Sequence, residues 1–225
     1  MLKKLVLTTA LALLATGFVA NRPASAGVIR TASFEAPSLN SPGIQYGPDE
    51  FGYNTNAVGP AIIPNFTFTG FSGIYKNGSA GVFADTSFGT QSAFLQSYTD
   101  ANGSTGGGAF SWAINGLNVG QTYRLSFYDE ASLIVPVDPF TVSAFGSTPL
   151  LFAPTTSFTL EGFDFIALTS SGTIDFVGST IPGNFATAID NIQIATIPEP
   201  FTLSLFGVGL VGAAAMRRRK KAEQA

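Results

Sequence analysis

This 225-residue chain contains no cysteine and no histidine. The first absence excludes a disulfide-stapled fold, thiol nucleophiles and thiolate metal sites. The second removes the usual general base and the imidazole metal ligands. A serine nucleophile would need lysine or a carboxylate as its base, yet Lys76 and Arg124 sit in no recognisable nucleophile motif. Charge of either sign is scarce, at 11% of residues, against roughly 25% in an ordinary soluble domain. Cations are scarcest where they would matter for a partner. Residues 27–197 hold three, Arg30, Lys76 and Arg124, against twelve Asp and Glu. That acidic stretch offers no face for a phosphate backbone, so nucleic acid is excluded as a partner.

Sustained helical periodicity is missing from residues 27–196, and alternation with period two takes its place. Tyr123, Leu125 and Phe127 alternate with Arg124, Ser126 and Tyr128; Phe140, Val142 and Ala144 alternate with Thr141 and Ser143. Shorter runs of the same kind cover 28–35, 65–71, 91–98, 109–114, 157–160, 163–168, 173–177 and 188–194. Turn signals such as Asn77-Gly78, Asn115-Gly116 and Ser171-Gly172 separate them. Regular short strands punctuated this way predict an all-β domain over 27–196, a single jelly-roll-like antiparallel β-sandwich whose core volume comes from its Phe, 18 of the chain's 21. Residues 37–60, with four Pro, read as a long surface connection, and 101–108 as a flexible loop.

The remaining cations gather at the two ends. Lys3 and Lys4 precede an apolar stretch over 5–20, and Ala24-Ser25-Ala26 supplies a small-residue cleavage site. These three parts predict a helical signal peptide over 1–26, cut by signal peptidase after Ala26, with Ala24 and Ala26 as its recognition residues. At the other end Pro198-Glu199-Pro200 is followed by an apolar run over 201–216, then Arg217-Arg218-Arg219-Lys220-Lys221 and a short tail, 222–225. The two prolines keep the segment around Glu199 extended. The run reads as a membrane helix of marginal length, and the cations behind it stay on the cytoplasmic side of the inner membrane. A plain tail anchor is the simpler alternative. The layout over 197–221 resembles the PEP-CTERM sorting signal of bacteria that secrete exopolysaccharide. That resemblance implies an exosortase, a membrane protease-transpeptidase, as processing partner, with delivery to the cell envelope, surface or extracellular matrix. Pro198, Glu199, Pro200 and Arg217 to Arg219 are then a substrate for another enzyme.

The body carries a second resemblance. Ser33-Phe34-Glu35, the run 91–95, the run 114–127 with its Gly116-Leu117 and Thr122-Tyr123, and Ala188-Ile189-Asp190-Asn191 are similar to galactose-binding-like jelly rolls, which include many carbohydrate-binding modules. There a glutamate near the first strand and an aspartate in the last one clasp a structural calcium ion. Glu35 and Asp190 occupy those positions, and the alternative is that both cap strand ends or face water.

Carbohydrate recognition needs aromatic platforms beside polar groups. Tyr46, Phe51 and Tyr53, set among Asp49, Glu50 and Asn54, are the candidates, while Trp112 in its alternating strand reads as core. The adjacent acids Asp49-Glu50 and Asp129-Glu130 would point to opposite faces of a strand, which argues against a glycosidase pair and for solvated turn acids. The composition therefore fits a non-catalytic matrix or polysaccharide-binding protein, with a purely structural surface protein and an unrecognised hydrolase as rivals. For the tail, we predict that the membrane run holds the domain only until a protease cuts near Pro200. The intact mass of the native product should correspond to a chain that begins near Gly27 and lacks Arg217 to Lys221. Changing Pro198, Glu199 and Pro200 to Ala should leave an uncut, membrane-bound form; a mature protein that retains the basic end would show an ordinary tail anchor instead.

Overall fold

The computed structural model describes residues 27–36, 38–39, 44–46, 63–78 and 83–197. The expected signal-peptide helix over 1–26 and membrane helix over 201–216 lie outside these residues. Among those described no helix occurs, and so none is long and apolar enough to cross a membrane. Residues Val28–Thr196 form one compact unit.

Among the described residues thirteen strands build it: β1 (Val28–Ala32), β2 (Ile44–Tyr46), β3 (Phe66–Thr69), β4 (Ser72–Lys76), β5 (Gln91–Thr99), β6 (Thr105–Gly107), β7 (Ala109–Asn115), β8 (Thr122–Ala131), β9 (Phe140–Ala144), β10 (Leu150–Phe152), β11 (Thr159–Ile166), β12 (Ser171–Gly178) and β13 (Asn184–Thr196). The larger sheet runs β11-β8-β13-β5-β4-β2, with β1 added to β13 and β6 to β5; the smaller runs β10-β9-β12-β7-β3. Every strand pair is antiparallel. The two sheets make the expected jelly-roll-like sandwich, and β13 is its spine. It pairs with β8 over most of its length, with β5 through 184–189, and with β1 through 192–195. A register shift between Asp190 and Gln193 breaks the β13–β8 ladder around Asn191, whose φ is 48°.

Alternation sorts the side chains. Tyr123, Leu125 and Phe127 of β8 meet Phe110, Trp112, Phe140, Ile174 and Phe176 between the sheets. Phe127 sits in the middle of this layer, with ring centroids 5.1 Å from Phe152, 5.3 Å from Phe176 and 6.0 Å from Phe140. A second, smaller apolar cluster covers the other face of the larger sheet: Tyr75, Phe94, Ala186 and Ala188 lie under Phe83, with Val135 and Phe158 packed at its side.

Three segments depart from the sequence expectation. The two runs at 157–160 and 163–168 are one strand, because Gly162 lets β11 pass close to β8: a Cβ there would lie 2.2 Å from the Leu125 carbonyl oxygen. The segment 101–108, expected as a flexible loop, contains β6 and closes a hairpin on β5. Its turn is held by the Asp100 carboxylate, which accepts from the amides of Asn102 (2.9 Å) and Ser104 (2.8 Å). Within 37–60, Leu39 is buried and β2 pairs with β4, so part of that stretch is sheet and core.

Phe127 is fully buried. Replacing it with Ala should cost about 3–5 kcal/mol from lost burial and the residual cavity. Denaturant unfolding of the full-length chain in detergent checks this, and an unchanged midpoint would remove β8 from the core.

Candidate functional site

Two places in the body gather chemistry. The first is a cleft of about 370 Å³ where β1 and the 33–36 segment face the β3–β7 edge. Its apolar wall is an aromatic stack. Phe66 lies nearly parallel to Trp112, with centroids 5.6 Å apart and planes 8° apart, and Phe34 meets Phe66 edge-on at 5.1 Å. Trp112 is only 5% exposed and Phe34 is buried, whereas Phe66, packed against the core, is half-buried and the most exposed of the three. Polar groups line the rest of the cleft: Arg30, Thr31, Ser33, Glu35, Asn65 and Asn115. The Arg30 guanidinium reaches across from β1 and donates to the Asn115 carbonyl at 3.1 Å and to the Ile29 carbonyl at 2.7 Å. A partly exposed aromatic residue edged by hydrogen-bonding groups is what a sugar's apolar face and hydroxyls require.

The second place is the outer face of the larger sheet under the 83–90 segment. Asp190 is wholly buried on β13. Its carboxylate accepts from the Thr86 hydroxyl (2.5 Å) and the Asn191 amide (2.6 Å). Burial, with a small further push from the charge of Glu35, lifts its pKa to about 7. Glu35 is half-buried and accepts from the Thr90 amide (2.9 Å), the Thr90 hydroxyl (2.8 Å) and the Gln91 amide (3.0 Å). Asn77 ties down the same segment, donating to the carbonyls of Thr86 and Gly89. Glu130 shares this face. It is fully buried with Oε1 unpartnered and Oε2 accepting from the Ala84 amide at 3.1 Å, and burial lifts its pKa to about 7.

The fold thus brings Glu35 and Asp190 within electrostatic reach of each other, and Asp190 does not face water. Their oxygens, with the Thr86 hydroxyl and nearby carbonyls, are all hard donors, the set that suits calcium. Of the expected aromatic cluster, the backbone of Tyr46 belongs to β2, while its side chain and residues Phe51 and Tyr53 lie outside the described residues. The sorting residues Pro198 to Pro200 and Arg217 to Arg219, and the cleavage residues Ala24 and Ala26, lie outside them too. Asp129 and Glu130 overturn the reading as solvated turn acids: they sit in β8 at 1% and 0% exposure, on opposite faces. Sequence reasoning missed Phe66 because its stacking partner is set by the β3–β7 pairing, which no local pattern announces.

Among the described residues the smaller sheet's outer face offers no rival platform. Thr67, Ser111, Asp175 and Ser143 register across four of its strands, and Ser111 and Thr173 both donate to Asp175, at 2.6 and 2.9 Å. These are small polar side chains, with no ring for a sugar to stack on.

Residues 196–220 match the PEP-CTERM protein-sorting motif. No curated protein matches the chain. Among solved structures, the body is similar to the CBM22-1 xylan-binding domain of Paenibacillus barcinonensis Xyn10C, at 14% identity over 78% of this chain and 97% of that one, with a TM-score of 0.45. It is similar also to the C-terminal family 22 carbohydrate binding module of Clostridium thermocellum Xyn10B, at 14% identity, 78% and 96% coverage and a TM-score of 0.42. A third is the family 11 carbohydrate-binding module from Clostridium thermocellum in complex with a β-1,3-1,4-mixed-linked tetrasaccharide, at 12% identity, 61% and 92% coverage and a TM-score of 0.38.

The raised carboxyls set a pH dependence. Asp129, Glu130 and Asp190 are each pushed up to about 7, mainly by burial, against about 4 in an unfolded chain. Between those values the folded state holds more protons than the unfolded one, so stability falls as pH rises through that window. With a chelator present, the melting temperature should be higher at pH 5 than at pH 8 by roughly 5 °C or more. An equal or higher value at pH 8 would mean that these groups are charged and compensated at neutral pH.

Proposed function

We propose that this chain is an exported surface or matrix protein, delivered by its C-terminal sorting motif, whose non-catalytic body binds polysaccharide in the Phe66 cleft. The sorting motif supports export, passage through the inner membrane and processing by an exosortase. The observation that carries the binding reading is the half-buried Phe66 ring, stacked on Trp112 and edged by Arg30, Asn65 and Asn115 in a cleft of sugar-binding size. The 47–62 segment, with Phe51 and Tyr53, joins this cleft's wall in sequence at Ile63.

A structural calcium ion held by Glu35 and Asp190 belongs to the same reading. The ion would fasten the 83–90 segment to the sheet and discharge Asp190. It needs Asp190 ionised, so added calcium should shrink the alkaline loss of stability described above.

The binding test uses the full-length chain in detergent on an array of plant, bacterial and algal polysaccharides. Reproducible binding to one polymer class is expected. Arg30→Ala and Asn115→Ala, both exposed positions, should each weaken it about tenfold or more, equivalent to about 1.4 kcal/mol. Folded protein that binds nothing, or binding untouched by both changes, would favour the purely structural surface protein.

A further inference from the structure

Of the buried acids that the sites above do not use, one has neither carboxylate oxygen partnered. Asp129 follows Phe127 in the inward phase of β8, is 1% exposed, and has no hydrogen-bond partner on either carboxylate oxygen. Its ladder partner on β11 is Thr159, and Glu161 lies one diagonal step away on the same inward face. Glu161 is half-buried, and its charge bears on Asp129. The Thr159 hydroxyl already joins a polar knot with the Thr155 hydroxyl and the Ser157 carbonyl, where β10 hands over to β11.

No side chain of the body can neutralise this pair. Arg30 is engaged with the carbonyls of Ile29 and Asn115, Lys76 with the Leu39 carbonyl, and Arg124 with Asp164 at 3.0 Å. Two buried oxygens left without a donor cost free energy unless something fills the place. A proton would discharge Asp129 but leave the Glu161 charge beside it uncompensated. A hard cation would use both of its oxygens and draw in Glu161, since diagonal positions about 7–8 Å apart leave room for an ion with oxygens at about 2.4 Å.

We propose that Asp129, Glu161 and the Thr159 hydroxyl form a binding site for a hard divalent cation at the β8–β11 edge of the sandwich. It is separate from Glu35 and Asp190, because Asp129 faces between the sheets while Asp190 lies on the outer face. Two carboxylates with few further ligands place it among weak sites, on the order of 10⁻⁴–10⁻³ M for calcium.

The test is a calcium titration by calorimetry at pH 7.5 on the full-length chain, with Asp190→Asn used to disable the other site. This variant should bind one calcium ion per chain, and adding Glu161→Gln or Asp129→Asn should abolish that binding. Circular dichroism confirms that each variant is folded. Should Asp190→Asn fail to fold, the wild-type chain is compared with Glu161→Gln, which is half-buried and tolerant, and the latter must bind one ion fewer. Folded Asp190→Asn that binds no calcium overturns the site and leaves the first one intact. Calcium binding unchanged by both Asp129→Asn and Glu161→Gln overturns it as well, and a melting temperature raised by Asp129→Asn without any metal effect would mean that a proton fills the place.

Discussion

Buried carboxylates without matching cations are the constraint around which this body is arranged. Asp129, Glu130, Asp138 and Asp190 are all buried, and the three cations of the domain are engaged elsewhere. Each acid must therefore be met by backbone amides, hydroxyls, protons or ions. Asp138 shows the amide-and-hydroxyl solution at one oxygen, its Oδ1 accepting from both the backbone and the side chain of Ser179 while Oδ2 is left without a partner. Asp190 takes the same kinds of donor from Thr86 and Asn191. Glu130 is half-satisfied and Asp129 not at all. The 83–90 segment is in place because such donors hold it, and the smaller apolar cluster beneath Phe83 closes around them. A domain so poor in positive side chains has its internal charge balance set by the surrounding solution.

Much of the sandwich was legible beforehand because alternation is a local signal. Tyr123, Leu125 and Phe127 declared their shared face, and Phe110, Trp112 and Ile114 did the same on the opposing sheet. Short pairings were less visible. β2, β6 and β10 are three residues each, too short for a period to register, and they exist because a longer neighbour offers its edge. The gap between the runs 157–160 and 163–168 proved to be a contact, since only a residue without a side chain at position 162 lets β11 approach the Leu125 carbonyl.

The candidate sites divide along the same line. Glu35 and Asp190 could be marked in advance because short motifs carry them. The Phe66 cleft could not, since its wall comes from β1, the 63–66 turn and β7, segments more than thirty residues apart that meet only once the sheets are built. Asp129 was the least visible of all. In sequence it is one of two adjacent acids after an aromatic strand, and nothing local says that β8 continues inward past it to Ala131.

The placement of β13 has a mechanical consequence. Val28 pairs with Ala195, so both ends of the domain leave it side by side. The sorting segment follows directly from a strand bonded to β8 on one flank and to β5 and β1 on the other. For a pull directed along β13, its ladder hydrogen bonds lie across the force. They are loaded together in shear, and none can be opened first as a peeling edge strand would allow. Force applied at the C-terminal end of β13, along the strand, is thus shared by β8, β5 and β1 before any part of the fold yields.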